Sequence, residues 1–238
     1  MREETLILMH KDIKDLIEMK KVIEAVENAF RGFEEGLCRM PPKVYLDLPE
    51  FSGDFRAMPA RIGRCATLKW VNSHPENRGY PTVMAVVILN DARTGFPLAV
   101  MDGTLITTYR TGAASAVASK YLARNDSSTL GLVGCGVQAR SQLLAISEVF
   151  DIDLVKIYDI SEEKMQQLKR DASGYNIVYA PLEEVSACDI LSTTTPARKP
   201  IIKREWIGEG AHINAIGSDA PGKQELDPRI IQDAKVVV

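Results

Sequence analysis

The chain has 238 residues, enough for one large domain or two small ones. Hydrophobic residues make up 45% of it and charged residues 26%, which is the ordinary composition of a globular protein. The net charge of -3 gives no bulk attraction to nucleic acid or to an anionic membrane. The longest apolar run, residues 82–89, is too short to span a bilayer, and no signal-like apolar core follows the N-terminus, so we expect a cytoplasmic protein.

Cysteines and histidines are scattered along the chain rather than clustered. No pair among the four cysteines and three histidines has the short spacing of metal ligands. Distant cysteines in a chain without a signal peptide are usually reduced thiols. The sequence therefore predicts neither a metal site nor a disulfide framework.

The first half of the chain predicts one helix followed by a sheet. Apolar residues recur at helical spacing over 12–35, where Asp12 can cap the start and Gly36 can end the helix. Because no helix separates the β-like runs that follow, we expect an antiparallel or mixed sheet. A helix rich in Ala and Ser, suited to close packing, then covers 111–123. The predicted strands are 43–48, 66–71, 83–89 and 97–100.

The second half alternates short strands with helices, which favours a parallel, doubly wound α/β sheet of the Rossmann type. We therefore expect an N-terminal α+β domain over 1–124 and a Rossmann domain over 125–238. Because no helix follows the last predicted strand, we expect the chain to be a piece of a longer protein. Helices are predicted at 138–149 and 162–172, and strands at 129–133, 154–158, 177–179, 190–193, 212–216 and 235–238.

A glycine-rich turn, G-x-G-x-x-A, joins the strand at 129–133 to the next helix. Gly134 permits the tight turn, Gly136 lets the backbone approach a pyrophosphate, and Ala139 allows close packing of helix on strand. The helix begins with Val137 and Gln138, whose turn presents N–H donors to an anion. The motif alone is a weak signal, but its place between a strand and a helix predicts a dinucleotide site.

Asp159 ends the following strand, where an acidic residue is expected to bond the adenosine ribose. Asp151 and Asp153 lie nearer the usual spacing but precede that strand. A carboxylate at this position repels the 2′-phosphate of NADP, so we expect NAD as the cofactor. The alternative is that Asp159 caps the next helix, a role that Ser161 could equally fill.

Two later strands end in polar residues that are further cofactor candidates. The carboxyl ends of strands line the ligand crevice in an open α/β sheet, although an ordinary loop is the alternative here. The candidates are Thr193, Thr194 and Thr195 after one strand, and Ile216, Gly217, Ser218 and Asp219 after the other.

Six stretches, in order along nearly the whole chain, carry a family resemblance: MPPKVYL at 40–46, FRAMPA at 55–60, LKWVNSHP at 68–75, TGFPLA at 94–99, RTGAA at 110–114 and GSDAPGKQEL at 217–226. On these residues the chain resembles the ornithine cyclodeaminase/mu-crystallin family, closest to the branch that oxidises L-alanine with NAD. The resemblance implies a homodimer whose N-terminal half supplies the dimer sheet and the substrate pocket. It also implies a further C-terminal segment that completes the Rossmann domain.

Lys69 matches the catalytic lysine of that family. It lies in an apolar, strand-like run, where desolvation can lower the pKa of an amine towards neutrality, and the alternative is a strand lysine with its amine in solvent. The resemblance further implies that Arg56, Lys43 and Arg110 hold the substrate carboxylate, with Arg56 in the active site. Because Arg110 and Thr111 lie at the predicted start of the helix at 111–123, we also expect them to contact the cofactor phosphates. The resemblance gives Asp219 the task of holding the amino group or activating water.

The reaction that the resemblance implies is the reversible, NAD-dependent oxidation of L-alanine to pyruvate and ammonia. Two alternatives stay open, namely cyclodeamination of L-ornithine to L-proline with regeneration of NAD, and ligand binding without catalysis. The sequence favours alanine, because no acidic partner for the distal amine of ornithine is evident. Residues that offer apolar bulk for a small side-chain pocket are Val44, Tyr45, Leu46 and Met58.

Overall fold

The computed structural model describes residues 4–220 and 222–238, so that Pro221, in the last of the six matched stretches, lies outside the described residues. The chain divides into two compact units, Met1–Arg110 and Thr111–Val238. This division falls earlier than the change of pattern at 124–125 in the sequence, because most of one long helix belongs to the second unit.

The first unit is a mixed sheet with two helices. The sheet has the strand order β1-β7-β6-β5-β4-β2, and β3 also pairs with β4. The β1–β7 pair is parallel and the other pairs are antiparallel, which confirms the expected mixed sheet. Its elements are β1 (Leu6–Leu8), α1 (His10–Leu16), α2 (Met19–Glu34), β2 (Cys38–Arg39), β3 (Val44–Leu48), β4 (Gly53–Ile62), β5 (Cys65–Ser73), β6 (Ala85–Asp91) and β7 (Pro97–Asp102).

The single helix predicted over 12–35 is wrong, because the chain forms α1 and α2 with a break at Ile17 and Glu18. Both of these residues have extended backbone, which ends one helix and starts the next. Asp12 lies inside α1, where its carboxylate accepts a hydrogen bond of 2.8 Å from the backbone N–H of Met9, the residue before the first turn. Gly36, with a φ of 72°, lies just beyond α2 as expected.

The second unit is a parallel sheet of order β10-β9-β8-β11-β12, with helices between its strands. From β8 the chain adds β9 and β10 on one side, and then crosses to the other side of β8 to add β11 and β12. This strand order confirms the doubly wound fold. Its elements are α3 (Thr104–Leu122, which begins in the first unit), β8 (Thr129–Val133), α4 (Val137–Ile146), β9 (Leu154–Tyr158), α5 (Glu162–Asp171), β10 (Ile177–Tyr179), α6 (Leu182–Ser186), β11 (Ile190–Thr193), β12 (His212–Ala215) and α7 (Pro228–Asp233).

Apolar side chains cover both faces of this parallel sheet. On one face, Leu130, Leu132 and Ile157 pack with residues of α4 and α5. On the other face, Val133 and Leu191 pack with residues of α6 and α7. Strands that are buried on both sides carry few polar residues, which is why the sequence predicted them closely.

The strand predicted at 235–238 is wrong. These residues follow α7 without joining either sheet, and the last three of them are exposed. Apolar β-branched residues favour extended backbone, but a strand also needs a hydrogen-bonded neighbour. In the described ranges, no helix is long and apolar enough to cross a membrane, and no three His, Cys, Asp or Glu side chains are grouped to hold a metal ion.

Candidate functional site

The register of the first sheet brings the predicted cationic residues to one face. Directly paired residues of antiparallel strands share a face, and Arg56 pairs with Tyr45 on one side and with Val71 on the other. Met58 pairs with Lys69, which therefore lies on the same face, one diagonal step from Arg56. Lys43 precedes β3, and its Nζ lies 5.2 Å from the centre of the Tyr45 ring. We call this surface the cationic face.

Burial and neighbouring positive charges together lower the pKa of Lys69 from 10.5 to about 7. The largest cause is burial, which removes water from the ammonium group, and the positive charges of Arg110, Arg56 and Lys43 add to the effect. A charge changes the pKa of another group strongly only at short range, so Arg110, Arg56 and Lys43 lie near the amine of Lys69. The result is an amine that both gives and takes a proton near neutral pH.

Two further residues of the cationic face contact Arg56, namely Asp54, which was not assigned a role from the sequence, and Tyr45, which was expected only as apolar bulk. Asp54 accepts two hydrogen bonds from Arg56, with Nε at 2.6 Å from Oδ1 and Nη2 at 3.0 Å from Oδ2. Tyr45 places its ring 5.3 Å from the guanidinium carbon of Arg56. The available signal was spacing, because Asp54 and Arg56 are two residues apart and residues two apart in a strand share a face. An acidic side chain is therefore present, contrary to the sequence expectation, and it orients Arg56.

Val44 and Leu46 do not line the cationic face. They alternate with Tyr45 along β3 and so point to the opposite face, where both are exposed. The expected apolar bulk therefore reduces to Tyr45 and Met58. On the opposite face, Val44 is in line with Ala57, Trp70 and Val86 across four strands.

The glycine turn has the geometry that a dinucleotide needs. Gly134 has a φ of 90°, and a Cβ there would also lie 2.9 Å from the hydroxyl of Thr194, so only glycine fits. Gly136 is exposed, and a Cβ there would meet nothing within 4 Å. It directly precedes α4, whose first turn contains Val137 and Gln138. The Oε1 atom of Gln138 is buried and has no hydrogen-bond partner among the described residues, so its capacity as an acceptor is unused.

Asp159 directly follows β9, as predicted, and its carboxylate contacts the glycine turn. Oδ2 accepts a hydrogen bond of 2.8 Å from the N–H of Cys135, and Oδ1 accepts one of 2.8 Å from the N–H of Ser161. Ser161 caps α5 by accepting from the N–H of Lys164, so Asp159 is not the cap. Each carboxylate oxygen has a second lone pair, which leaves acceptor capacity for ribose hydroxyls.

The polar residues after β11 and β12 form one hydrogen-bonded group. The N–H groups of Ile216 and Gly217 each donate to the carbonyl of Thr193 at 3.0 Å, and the hydroxyl of Thr194 lies 3.2 Å from the carbonyl of Gly134. Glu225, which was not a candidate from the sequence, accepts hydrogen bonds from Thr193 and Thr195.

The remaining candidates are placed as follows. Ser218 accepts a hydrogen bond of 3.3 Å from the N–H of Glu225. Asp219 lies in the same loop, where its carboxylate accepts a bond of 2.6 Å from Lys223 Nζ. Arg110 and Thr111 are consecutive residues inside α3, which begins at Thr104, so the expectation that they lie at a helix start is wrong.

Comparison with known proteins gives a consistent result along the whole chain. Residues 3–238 match the ornithine cyclodeaminase/mu-crystallin family. An alanine dehydrogenase of Archaeoglobus fulgidus is 54% identical over an alignment of 239 positions, which covers 99% of this chain and 74% of that enzyme. A solved archaeal alanine dehydrogenase dimer with bound NAD is 54% identical, with a TM-score of 0.94 over 98% of this chain and 73% of that one.

A second solved structure places a different ligand on the same fold. It is the Thermococcus litoralis Delta(1)-pyrroline-2-carboxylate reductase in complex with NADH and L-proline. It is 40% identical, with a TM-score of 0.91 over 97% of this chain and 74% of that one. The family match and these similarities extend over nearly all of the described residues. The chain therefore belongs to the ornithine cyclodeaminase/mu-crystallin family.

Proposed function

We propose that this protein catalyses the reversible oxidative deamination of L-alanine to pyruvate and ammonia with NAD. The observation that carries the proposal is Lys69, a half-buried amine with a pKa of about 7 among cations that suit a carboxylate. The choice of alanine is supported by the similarity to the Archaeoglobus fulgidus enzyme over 99% of this chain. The domain roles follow, with substrate binding in the first unit and NAD binding in the second.

The substrate carboxylate is held by Lys43, Arg56 and Arg110 in this proposal. Arginine binds carboxylates through paired N–H donors, and Asp54 fixes the plane of the Arg56 guanidinium before the substrate arrives. The ring of Tyr45 lies against the ammonium group of Lys43 and the guanidinium of Arg56, and it offers an aromatic surface to a small side chain. This first unit orients the α-carbon and supplies charge stabilisation.

Proton transfer is assigned to Lys69 and Asp219. Neutral Lys69 accepts a proton as the α-amino group becomes an imino group, and its ammonium form returns a proton to the leaving ammonia. Asp219 holds the substrate nitrogen or the attacking water, and Lys223 keeps its carboxylate in place. Both residues act at atoms that gain or lose charge during the reaction, where a positioned group has the greatest effect.

The second unit fits NAD. Gly136 leaves open space before the N-terminus of α4, and Asp159 presents a carboxylate beside the same turn. We assign cofactor contacts to these residues and to Gly134, Val137, Gln138, Arg110, Thr111, the segment Thr193, Thr194 and Thr195, and the segment Ile216, Gly217, Ser218 and Asp219. When bound, NAD accepts a hydride from the α-carbon of the substrate.

Asp159→Ser is expected to reduce the preference for NADH over NADPH by about tenfold, which corresponds to 1.4 kcal/mol. Loss of the bond to Cys135 loosens the glycine turn and weakens both cofactors alike, whereas loss of the charge favours only NADPH. The ratio of the two dissociation constants, measured by NADH and NADPH fluorescence, isolates the charge. Asp153→Ser, an exposed aspartate before β9, is the control and should leave the ratio unchanged. Tighter binding of NADPH than of NADH by the unmodified protein would refute the assignment.

Cyclodeamination of ornithine is the second candidate, and Asp54 is the observation that favours it. A carboxylate on the cationic face could orient the distal amine of ornithine. Both of its oxygens are, however, hydrogen-bonded to Arg56, so that binding an amine would require breaking that ion pair. Alanine makes no such demand. Ligand binding without catalysis is disfavoured because it gives no reason for a lysine with a lowered pKa.

With NAD and L-alanine, the protein is expected to form NADH and pyruvate in equal amounts. With L-ornithine, it is expected to form no proline. The assay incubates the protein and NAD with each amino acid separately and measures NADH, pyruvate and proline. Proline from ornithine without accumulation of NADH, together with no pyruvate from alanine, would establish the cyclodeaminase reaction instead.

We further propose that the protein is a homodimer in the cytoplasm. The similar archaeal enzyme is a dimer, and the face of the first sheet opposite the cationic face exposes apolar side chains. Contiguous apolar surface of this kind marks a protein interface. The exposed apolar side chains are Val44, Leu46, Trp70 and Val86. Sedimentation velocity can check the expected doubled mass.

The proposed location in the cytoplasm is supported by the four cysteines, which are free thiols, in keeping with a reducing compartment.

A further inference from the structure

Glu225 is a fully buried carboxylate in the second unit, with a relative exposure of 0%. Burial of a carboxylate is costly unless hydrogen bonds replace its water. In the described part of the chain it forms no salt bridge, so three hydrogen bonds from neutral donors replace that water. An apolar side chain at this position would avoid the cost of burying a carboxylate, so we expect the hydrogen bonds of Glu225 to have a role.

The three donors lie at the end of β11 and in the loop that follows it. The hydroxyl of Thr193 donates to Oε2 at 2.7 Å. The N–H and the hydroxyl of Thr195 both donate to Oε1 at 2.7 Å. The carboxylate therefore fixes the rotamers of both threonines and the direction in which the chain leaves the strand.

The turn after β12 rests on the same carboxylate. A Cβ at Gly217 would lie 2.5 Å from Glu225 Oε1 and 2.2 Å from the carbonyl oxygen of Thr195, so the two loops touch at this point. The backbone of Glu225 is itself fixed, because its carbonyl accepts from Ile201 at 2.8 Å and from Ile202 at 3.0 Å. Glu225 thus joins the loops that follow two neighbouring strands.

We propose that Glu225 is a positioning residue that gives these two loops the shape in which they bind NAD. The inference rests on the proposed function, in which both loops contact the cofactor. In a doubly wound sheet the dinucleotide crosses the point where the strand order reverses, here between β8 and β11. Because Asp159 marks the adenosine end beside β9, the loops after β11 and β12 receive the nicotinamide end.

Asp189 provides a matched control at the opposite end of β11. Its carboxylate accepts hydrogen bonds from the N–H groups of Ser128 and Thr129, from the Thr129 hydroxyl, and from Arg124. Asp189 therefore links two chain segments as Glu225 does, but at the end of the strands away from the proposed cofactor loops. Asp189→Asn should destabilise the fold without changing the affinity for NADH.

The experiment compares Glu225→Gln, Glu225→Ala and Asp189→Asn in the whole chain, by NADH fluorescence titration and by thermal unfolding. Glu225→Ala should raise the Kd for NADH and the KM for NAD by about tenfold or more. A tenfold change in Kd corresponds to about 1.4 kcal/mol of binding free energy. The KM for L-alanine should change less than the KM for NAD, because Asp219 is the one proposed substrate contact in these loops and the other contacts lie in the first unit. Glu225→Gln should restore part of the affinity, because its amide oxygen still accepts both bonds from Thr195.

Two outcomes decide the proposal even if Glu225→Ala fails to fold. Thr195→Val removes one donor, so it should weaken NADH binding, and adding Glu225→Gln should weaken it little further because the two residues act together. If Glu225→Gln and Thr195→Val bind NADH as tightly as the unmodified protein, with only a lower Tm as in Asp189→Asn, the proposal is overturned. Failure of the proposed function differs from this, because the unmodified protein would then bind no NADH or form none from alanine.

Discussion

Replacing Lys69 with alanine is expected to lower kcat/KM for L-alanine oxidation by about 10²–10⁴-fold, the usual contribution of a general acid–base group. The fold and the Kd for NADH should not change, because Lys69 is in the first unit and the cofactor contacts proposed for NADH binding are mostly in the second. The measurements are steady-state kinetics, thermal unfolding and NADH titration. Lys14→Ala, an exposed lysine of α1, is the matched control and should behave like the unmodified protein.

Lys69→Arg separates proton transfer from charge. Arginine keeps the positive charge but cannot lose its proton in a protein. If Lys69 transfers protons, Lys69→Arg should be as impaired as Lys69→Ala. Near-normal turnover in Lys69→Arg would make the residue an electrostatic group only, and near-normal turnover in Lys69→Ala would make it structural.

The pH dependence of the same reaction follows from the lowered pKa of Lys69. Oxidation needs the neutral amine, so kcat/KM should fall as the pH drops below about 7, where the ammonium form takes over. Arg56 is one of the positive charges that lower this pKa, after burial and Arg110. Arg56→Gln should therefore raise the pKa and move the acid limb to higher pH. Arg61→Gln, on the other face of the same strand, should leave the limb in place.

Gly136→Ala is expected to weaken NADH binding by about tenfold to hundredfold, at 1.4 kcal/mol per tenfold. A methyl group there meets no protein atom within 4 Å, so the Tm should not fall. It would occupy the space through which a pyrophosphate approaches the N-terminus of α4. The added methyl group should therefore change the affinity for a ligand and not the stability of the fold.

The control for Gly136→Ala is Gly208→Ala, since a Cβ at Gly208 also meets nothing within 4 Å. Both variants replace a glycine whose backbone an alanine can adopt, so both should unfold at the temperature of the unmodified protein or slightly above it. Equal NADH affinity in the two variants would show that the dinucleotide does not approach this turn.

The parallel sheet was predicted within one residue at most strand ends, whereas the first unit was predicted less well. Buried strands that alternate with helices are read from local apolar pattern alone. The longest strand of the first sheet, β4, was missed because Gly53 and Pro59 are strand breakers. Pro59 is tolerated because the ladder with β3 ends at Ala57 and the ladder with β2 begins at Arg61.

The candidate site divides in the same way. The glycine turn and Asp159 follow from spacing, because short chain segments position them. Lys69 was a candidate because its stretch matches the family, but its lowered pKa depends on burial and on charges from other parts of the chain. Asp54 could have been found from its spacing of two residues from Arg56, whereas Glu225 gains its role from tertiary contacts. Glu225 bonds to residues 30 and 32 positions away in the chain.

The pleat of β5 imposes a parity rule on the length of that strand. Lys69 and Trp70 are neighbours in sequence but lie on opposite faces, one among the cations and the other in the exposed apolar row. Loss or gain of one residue within β5, on the turn side of Lys69, would shift the pairing by one and put the amine in the apolar row and the indole among the cations. A change of two residues would restore each side chain to its own face. An odd insertion or deletion within β5 therefore has to be absorbed by the turn or by a bulge if both faces are to be kept.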